Sequence, residues 1–136
     1  MDSRDAFNAL VKEYPDFLLL SDFYYDEDGD LLFCVEMYHF AEYIWDKSNE
    51  MDFDFNPLKA LLAEFIRIGD EKVKYSVVAC LIDHLDALDT QSCNHTKTTQ
   101  WLENLYPYLS ENNNVIIYCF WCFIGLLCTG LCLRWI

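Results

Sequence analysis

Four groups of residues in this chain carry side chains of the kind found in metal or catalytic sites. Cys119-x-x-Cys122, followed by Cys128 and Cys132, has half the pattern of a zinc site. Zinc-bound thiolates need polar support, whereas these cysteines sit in an apolar run, where a thiol packs as a small hydrophobe and resists ionisation. Cys93 with His95 has the composition of a thiol nucleophile and its base, but spacing alone does not establish the contact that catalysis needs. His84 lies beside Asp83 and Asp86, yet side chains one or two apart on a helix do not face each other. Asp26-x-Asp28-Gly29-Asp30 has a calcium-like composition without the closing glutamate of a full loop, and reads as a solvated turn. With His39 standing apart from these groups, the sequence predicts no enzyme, no metal site and no cofactor.

What remains is charge. The chain has 9 Lys+Arg against 23 Asp+Glu, a formal net charge of -14. Such a balance argues against nucleic acid, whose phosphates need a Lys/Arg-rich face. It favours a cationic protein partner reached through long-range attraction. The carboxylates form three clusters: Asp22, Asp26, Glu27, Asp28 and Asp30; Glu50, Asp52 and Asp54; and Asp83, Asp86 and Asp89. Asp83 and Asp86 share a helical face and repel by a few tenths of a kcal/mol, which a cationic partner would relieve. Tyr24, Tyr25 and Trp45 are the aromatic residues expected to contribute contact area. The expected partner-binding set is therefore Asp22, Tyr24, Tyr25, Asp26, Glu27, Asp28, Asp30, Trp45, Asp52, Asp54, Asp83 and Asp86.

The backbone that carries these side chains reads as mainly helical. Asp2 or Ser3 can cap a first helix, with Phe7, Leu10, Val11 and Tyr14 on one face, and Pro15 stops it. Residues 17–25 are aromatic and aliphatic, a composition compatible with an extended segment. After the Asp26–Asp30 turn the chain either returns as a second strand or begins a helix, so a short N-terminal β-hairpin is open. Met37, Phe40, Ala41, Ile44 and Trp45 put a helix over at least residues 36–47. Asn56-Pro57 starts a third helix, with Asn56 as its capping residue. Gly69 ends it, and Asp70 caps a fourth helix from about residue 71 to 88, whose uncharged centre must be buried on more than one face. Residues 89–95 are read as a polar connector, and Thr96 caps a shorter helix carrying Trp101, Leu102 and Leu105. The expected fold is mainly α, an antiparallel helical bundle or HEAT-like helical hairpins.

Two parts follow: an acidic helical domain over residues 1–112, and an apolar C-terminal segment over residues 113–136. The run from Val115 to Leu133 has no charged side chain and is long enough to cross a hydrocarbon core. It reads as a membrane anchor, a packed terminal element, or a segment appended to a complete domain. The seven cysteines are odd in number and no apolar segment follows Met1. A secretory signal and a disulfide framework are therefore not expected, and Asn94-His95-Thr96 carries no glycosylation meaning. Reduced cysteines in a cytoplasmic protein, with the inner membrane as the tail's alternative site, are the expectation.

Residues 57–85 show a helix, a Gly69-Asp70 turn, and a helix with a Val-rich centre (Val73, Val77, Val78) and an acidic residue before its last leucine. This pattern resembles small bacterial immunity proteins of polymorphic-toxin and contact-dependent growth-inhibition systems. An N-terminal helix ending in Tyr14-Pro15, and residues 96–105 with Trp101, are similar too. The resemblance implies a cytosolic protein that binds one cognate toxin domain and blocks it, and the acidic charge of the chain adds that this toxin is basic. The alternative is a tail-anchored membrane protein with an acidic interaction domain.

Overall fold

A computed structural model describes residues 1–92. Cys93, His95, the helix expected from Thr96, the cysteines of the apolar run and residues 115–133 lie outside the described residues. Among the described residues no helix is long and apolar enough to cross a membrane.

The described fold is mainly helical. Helix α1 spans Ser3–Glu13, α2 Phe33–Ser48, α3 Asn56–Ile68, α4 Glu71–Tyr75 and α5 Asp83–Ser92. Asp2 caps α1 by accepting the Asp5 N–H at 2.9 Å, and α1 buries Ala6, Phe7 and Leu10. The extended reading of residues 17–25 fails at its start, where Pro15–Leu19 is a 3-10 helix, and keeps only Tyr25, which joins a β-bridge. Pro15 presets the helical φ, and burying Phe17 between Phe40 and Tyr43 fixes the turn. The expected hairpin shrinks to one antiparallel bridge between Tyr25 and Leu31, because α2 begins at Phe33 and leaves no second strand.

Asn56 does not cap α3. Phe55 holds the cap position, and the Asp54 carboxylate accepts the Asn56 N–H at 2.9 Å instead. Gly69 and Asp70 alone separate α3 from α4. A Cβ at Gly69 would collide with the Phe65 carbonyl and with Val73, so the close approach requires glycine. Asp70 caps α4 through the Val73 N–H at 2.9 Å. Between α4 and α5 the rod widens into a π-helical segment, Ser76–Ile82, which packs on α2 and α3. Ser76, Val77, Val78, Cys80, Leu81 and Ile82 are all buried there, consistent with an uncharged centre covered on several faces. The residues read as a connector from Asp89 onward continue α5 to Ser92, with Asp89 buried.

The expectation of reduced cysteines is overturned for one pair. Cys34, in the first turn of α2, is disulfide-bonded to Cys80 in the π segment, with Cα atoms 5.4 Å apart. The packing of α2 on that segment brings the two together from 46 residues apart, which no local spacing could announce.

Candidate functional site

The site begins with a carboxylate inside the core. Glu36 lies on the α2 stripe that buries Phe33, Met37 and Phe40, and is itself fully buried. Its Oε2 accepts the Ser21 hydroxyl at 2.6 Å and its Oε1 accepts the Tyr24 N–H at 3.0 Å. Ser21 Oγ in turn accepts the Phe23 N–H at 3.3 Å. These bonds pin residues 21–24 to α2. They hold Phe23 at φ 52°, a left-handed conformation that a bulky side chain rarely adopts and that costs on the order of 1–3 kcal/mol. The Phe23 ring also meets Phe7 edge-on at 5.8 Å.

From that clamp the acidic loop projects. Asp26 Oδ1 accepts the N–H groups of Asp28 and Asp30, both at 2.9 Å, and Gly29 takes φ 82° to close the turn. The Leu32 N–H returns to the Tyr24 carbonyl at 2.8 Å. Every residue from Asp22 to Asp30 is exposed. The sequence-predicted cluster Asp22, Tyr24, Tyr25, Asp26, Glu27, Asp28 and Asp30 is thus one ordered loop, in which Asp26 builds the turn and the others face solvent. Tyr24 donates its hydroxyl to Asp22 at 3.1 Å, which pushes the phenol pKa up.

A strip of rings leads away from the loop. Tyr24 stacks on His39 at 5.5 Å, His39 meets Tyr38 edge-on at 6.2 Å, and Tyr38 stacks on His84 at 3.6 Å. Glu42 joins the two imidazoles, 4.0 Å from His39 Nδ1 and 3.6 Å from His84 Nε2. The fold thus brings Glu42 of α2, rather than the sequence neighbours Asp83 and Asp86, towards His84 Nε2, a buried nitrogen to which it makes no hydrogen bond. The strip begins at the acidic loop and ends on α5 at His84, while Asp83 and Asp86, one and two residues from it, project from other sides of that helix and Asp89 is buried.

The third cluster is elsewhere. Asp52 and Asp54 are exposed in the loop after the far end of α2, roughly 24 Å along the helix from its start. Asp54 is engaged in starting α3, and Glu50 pairs with Lys47 at 3.0 Å. Trp45 lies partly buried against the core, roughly two turns beyond His39. The structure does not join Trp45, Asp52 or Asp54 to the acidic loop. The sequence reading missed Glu36, Tyr38 and Glu42. For Glu36 a signal existed, since a carboxylate stands in line with Phe33, Met37 and Phe40.

Asp86 is the most perturbed acid on this side. Partial burial, with Asp83 and Asp89 nearby, pushes its pKa from 3.8 to about 6, and partial desolvation also raises Asp83. A carboxyl raised by folding opposes the fold wherever it must ionise. Stability is therefore expected to rise as pH falls through 6. After allowance for solvent screening, ionised Asp86 costs about 1–2 kcal/mol at pH 8. Asp86→Asn is expected to raise the melting temperature at pH 8, with the gain vanishing as pH approaches 4. A gain that persists unchanged in acid would show that the charge is not its source.

Chemically, exposed carboxylates beside aromatic faces attract and orient cations. Among the described residues, no three His, Cys, Asp or Glu side chains converge as a metal-ligand set. No family model matches the chain, nor does any curated protein or solved structure.

Proposed function

We propose that this chain is an immunity protein of a bacterial polymorphic-toxin or contact-dependent growth-inhibition system, acting in the cytoplasm. It binds one cognate basic toxin domain and blocks it by occlusion, with no turnover of its own. Its helices form an antiparallel bundle or HEAT-like hairpins whose acidic face stands in for phosphate charge, so nucleic acid is not its ligand. The observation that carries this reading is the ordered acidic loop from Asp22 to Asp30, exposed throughout and held by the buried Glu36. A solubilising charge needs no such pinning. A pre-organised loop loses less entropy on binding and presents a fixed potential to a positive surface.

The test is kinetic. Because Asp26 builds the turn, charge is reversed at Glu27, Asp28 and Asp30 only. Association with the toxin domain encoded beside this chain's gene is expected to slow tenfold or more at low salt, with a flatter dependence on ionic strength. Stopped-flow rates indistinguishable from those of the parent chain would remove this loop from the interface.

A second reading has its own observation, the uncharged run from residue 115 to 133. On it, the chain is anchored to the inner membrane and its acidic domain recruits a partner there. Membrane fractionation of chains with and without residues 115–136 separates the readings: an anchored protein moves to the soluble fraction when the segment is removed.

A further inference from the structure

The exposed apolar surface of the described residues is concentrated beside the acidic loop. Of eleven exposed large apolar side chains among them, seven fall between Leu18 and Leu32. The cause is local. The short 3-10 turn buries Phe17 and ends before another element covers the leucines that follow it, leaving Leu18 41%, Leu19 85% and Leu20 61% exposed. The left-handed Phe23 then leaves its ring 40% exposed, continuing the ridge towards Tyr25. Asp22 and the carboxylates of the acidic loop follow these side chains directly along the chain and are exposed with them, so apolar and anionic surface alternate within residues 18–30. Contiguous exposed apolar side chains with a polar border mark a contact surface.

Three occupants could cover it, and charge selects among them. A second copy of this chain carries the same -14 and would set acidic loop against acidic loop. The chain's own residues 93–136 carry Lys97 and Arg134 against Glu103 and Glu111, and so offer no net positive charge to the acidic loop. A foreign surface with an apolar stripe flanked by Lys and Arg, as a cationic amphipathic helix presents, matches both the ridge and the acidic loop. We infer that Leu18, Leu19, Leu20, Phe23 and Tyr25 dock the apolar stripe of such a cationic amphipathic helix on the partner, while the acidic loop engages its flanking Lys and Arg. This deepens the proposed function by naming the partner's chemistry. It rests on the acidic face meeting a cationic protein, not on that protein's being a toxin.

The experiment titrates the full chain, at low ionic strength, with a helical Leu/Lys amphipathic peptide and with its Leu/Ser counterpart. The Leu/Lys peptide is expected to bind at least tenfold more tightly than the Leu/Ser one. The double substitution Leu19→Ser and Leu20→Ser is expected to weaken it about tenfold or more, because two well-exposed leucines lose their burial on binding. Met51→Ser, at an exposed apolar residue outside the ridge, is expected to change nothing. If the leucine pair has no effect while Asp28→Asn and Asp30→Asn abolish binding, the ridge inference falls and the acidic reading stands. If the Leu/Lys peptide does not bind, both fall. A melting temperature lowered by several degrees in the leucine variant would show that the chain covers the ridge itself. Self-association that the variant abolishes would assign the ridge to a second copy. Either result overturns the inference.

Discussion

Reducing the Cys34–Cys80 disulfide is expected to lower the melting temperature of the full chain by about 10–20 °C. The bond closes a loop of 46 residues. Freeing that loop returns on the order of 4 kcal/mol of chain entropy to the unfolded ensemble. In a domain of this size each kcal/mol moves the melting temperature by several degrees. The consequence is sharpened by where the bond lies. Cys34 stands two residues after Leu32, where the acidic loop returns to α2, and Cys80 is buried at 4% exposure in the π segment. One sulfur is therefore within reach of a thiol reductant, while the other lies in the core. Cys34→Ser should match reduction, since a hydroxyl at an exposed site carries little cost of its own. Cys80→Ser should cost more, because it also buries a hydroxyl among Val77, Leu81 and α2 side chains. Thermal melts with and without dithiothreitol decide it. The parent chain must lose stability on reduction and Cys34→Ser must become insensitive to it. A parent melting curve that ignores the reductant would refute the stapling role.

The helices were legible because their signals are local. Asp2 announced α1, the stripe from Met37 to Ile44 announced α2, and Gly69-Asp70 announced the break between α3 and α4. Each places a capping or apolar group within one turn of what it serves. The reading of Asn56 missed by one residue because the Asp54 carboxylate takes the Asn56 N–H and helical turns already begin at Phe55, whose carbonyl accepts the Lys59 N–H, so Asn56 lies inside the helix rather than before it. Residues 17–19 depart from an extended reading for a different reason. Their aromatic and aliphatic composition fits a strand, but the burial of Phe17 under α2 favoured a 3-10 turn, and that contact is tertiary. The acidic loop was visible as composition and turn chemistry. Its connection to α5 was not, because the stack of Tyr38 on His84 joins residues 46 positions apart. Composition also grouped Asp52 and Asp54 with the loop, although α2 separates them by its full length. Charge is legible in a sequence, whereas the face on which it gathers depends on which helices pack together.

Glu36→Ala is the second large effect, and two opposing terms set its size. Removing the side chain ends the burial of a carboxylate, which favours the variant. It also takes the acceptor from the Ser21 hydroxyl and the Tyr24 N–H, and bonds to a charged acceptor contribute about 1.5–3 kcal/mol each. The methyl left behind leaves a void beside Phe33 and Met37 that adds to the loss. The unfavourable terms win, by about 2–4 kcal/mol. The loss should be uneven, because Phe23 is held in its left-handed conformation from both sides, by Ser21 Oγ and by the Tyr24 bond to Glu36. Without the carboxylate, residues 21–25 can relax that strain locally before α2 unfolds. The Tyr24 amide is accordingly expected to exchange with solvent on the order of a hundredfold faster in Glu36→Ala, while amides in the middle of α2 follow only the global loss. Glu36→Gln keeps an oxygen for the Tyr24 N–H and should lose about 1 kcal/mol. Hydrogen exchange at Tyr24 in the three chains reads the clamp directly. If Tyr24 and the α2 core accelerate by the same factor in Glu36→Ala, Glu36 is an ordinary core residue and the acidic loop is not held by it.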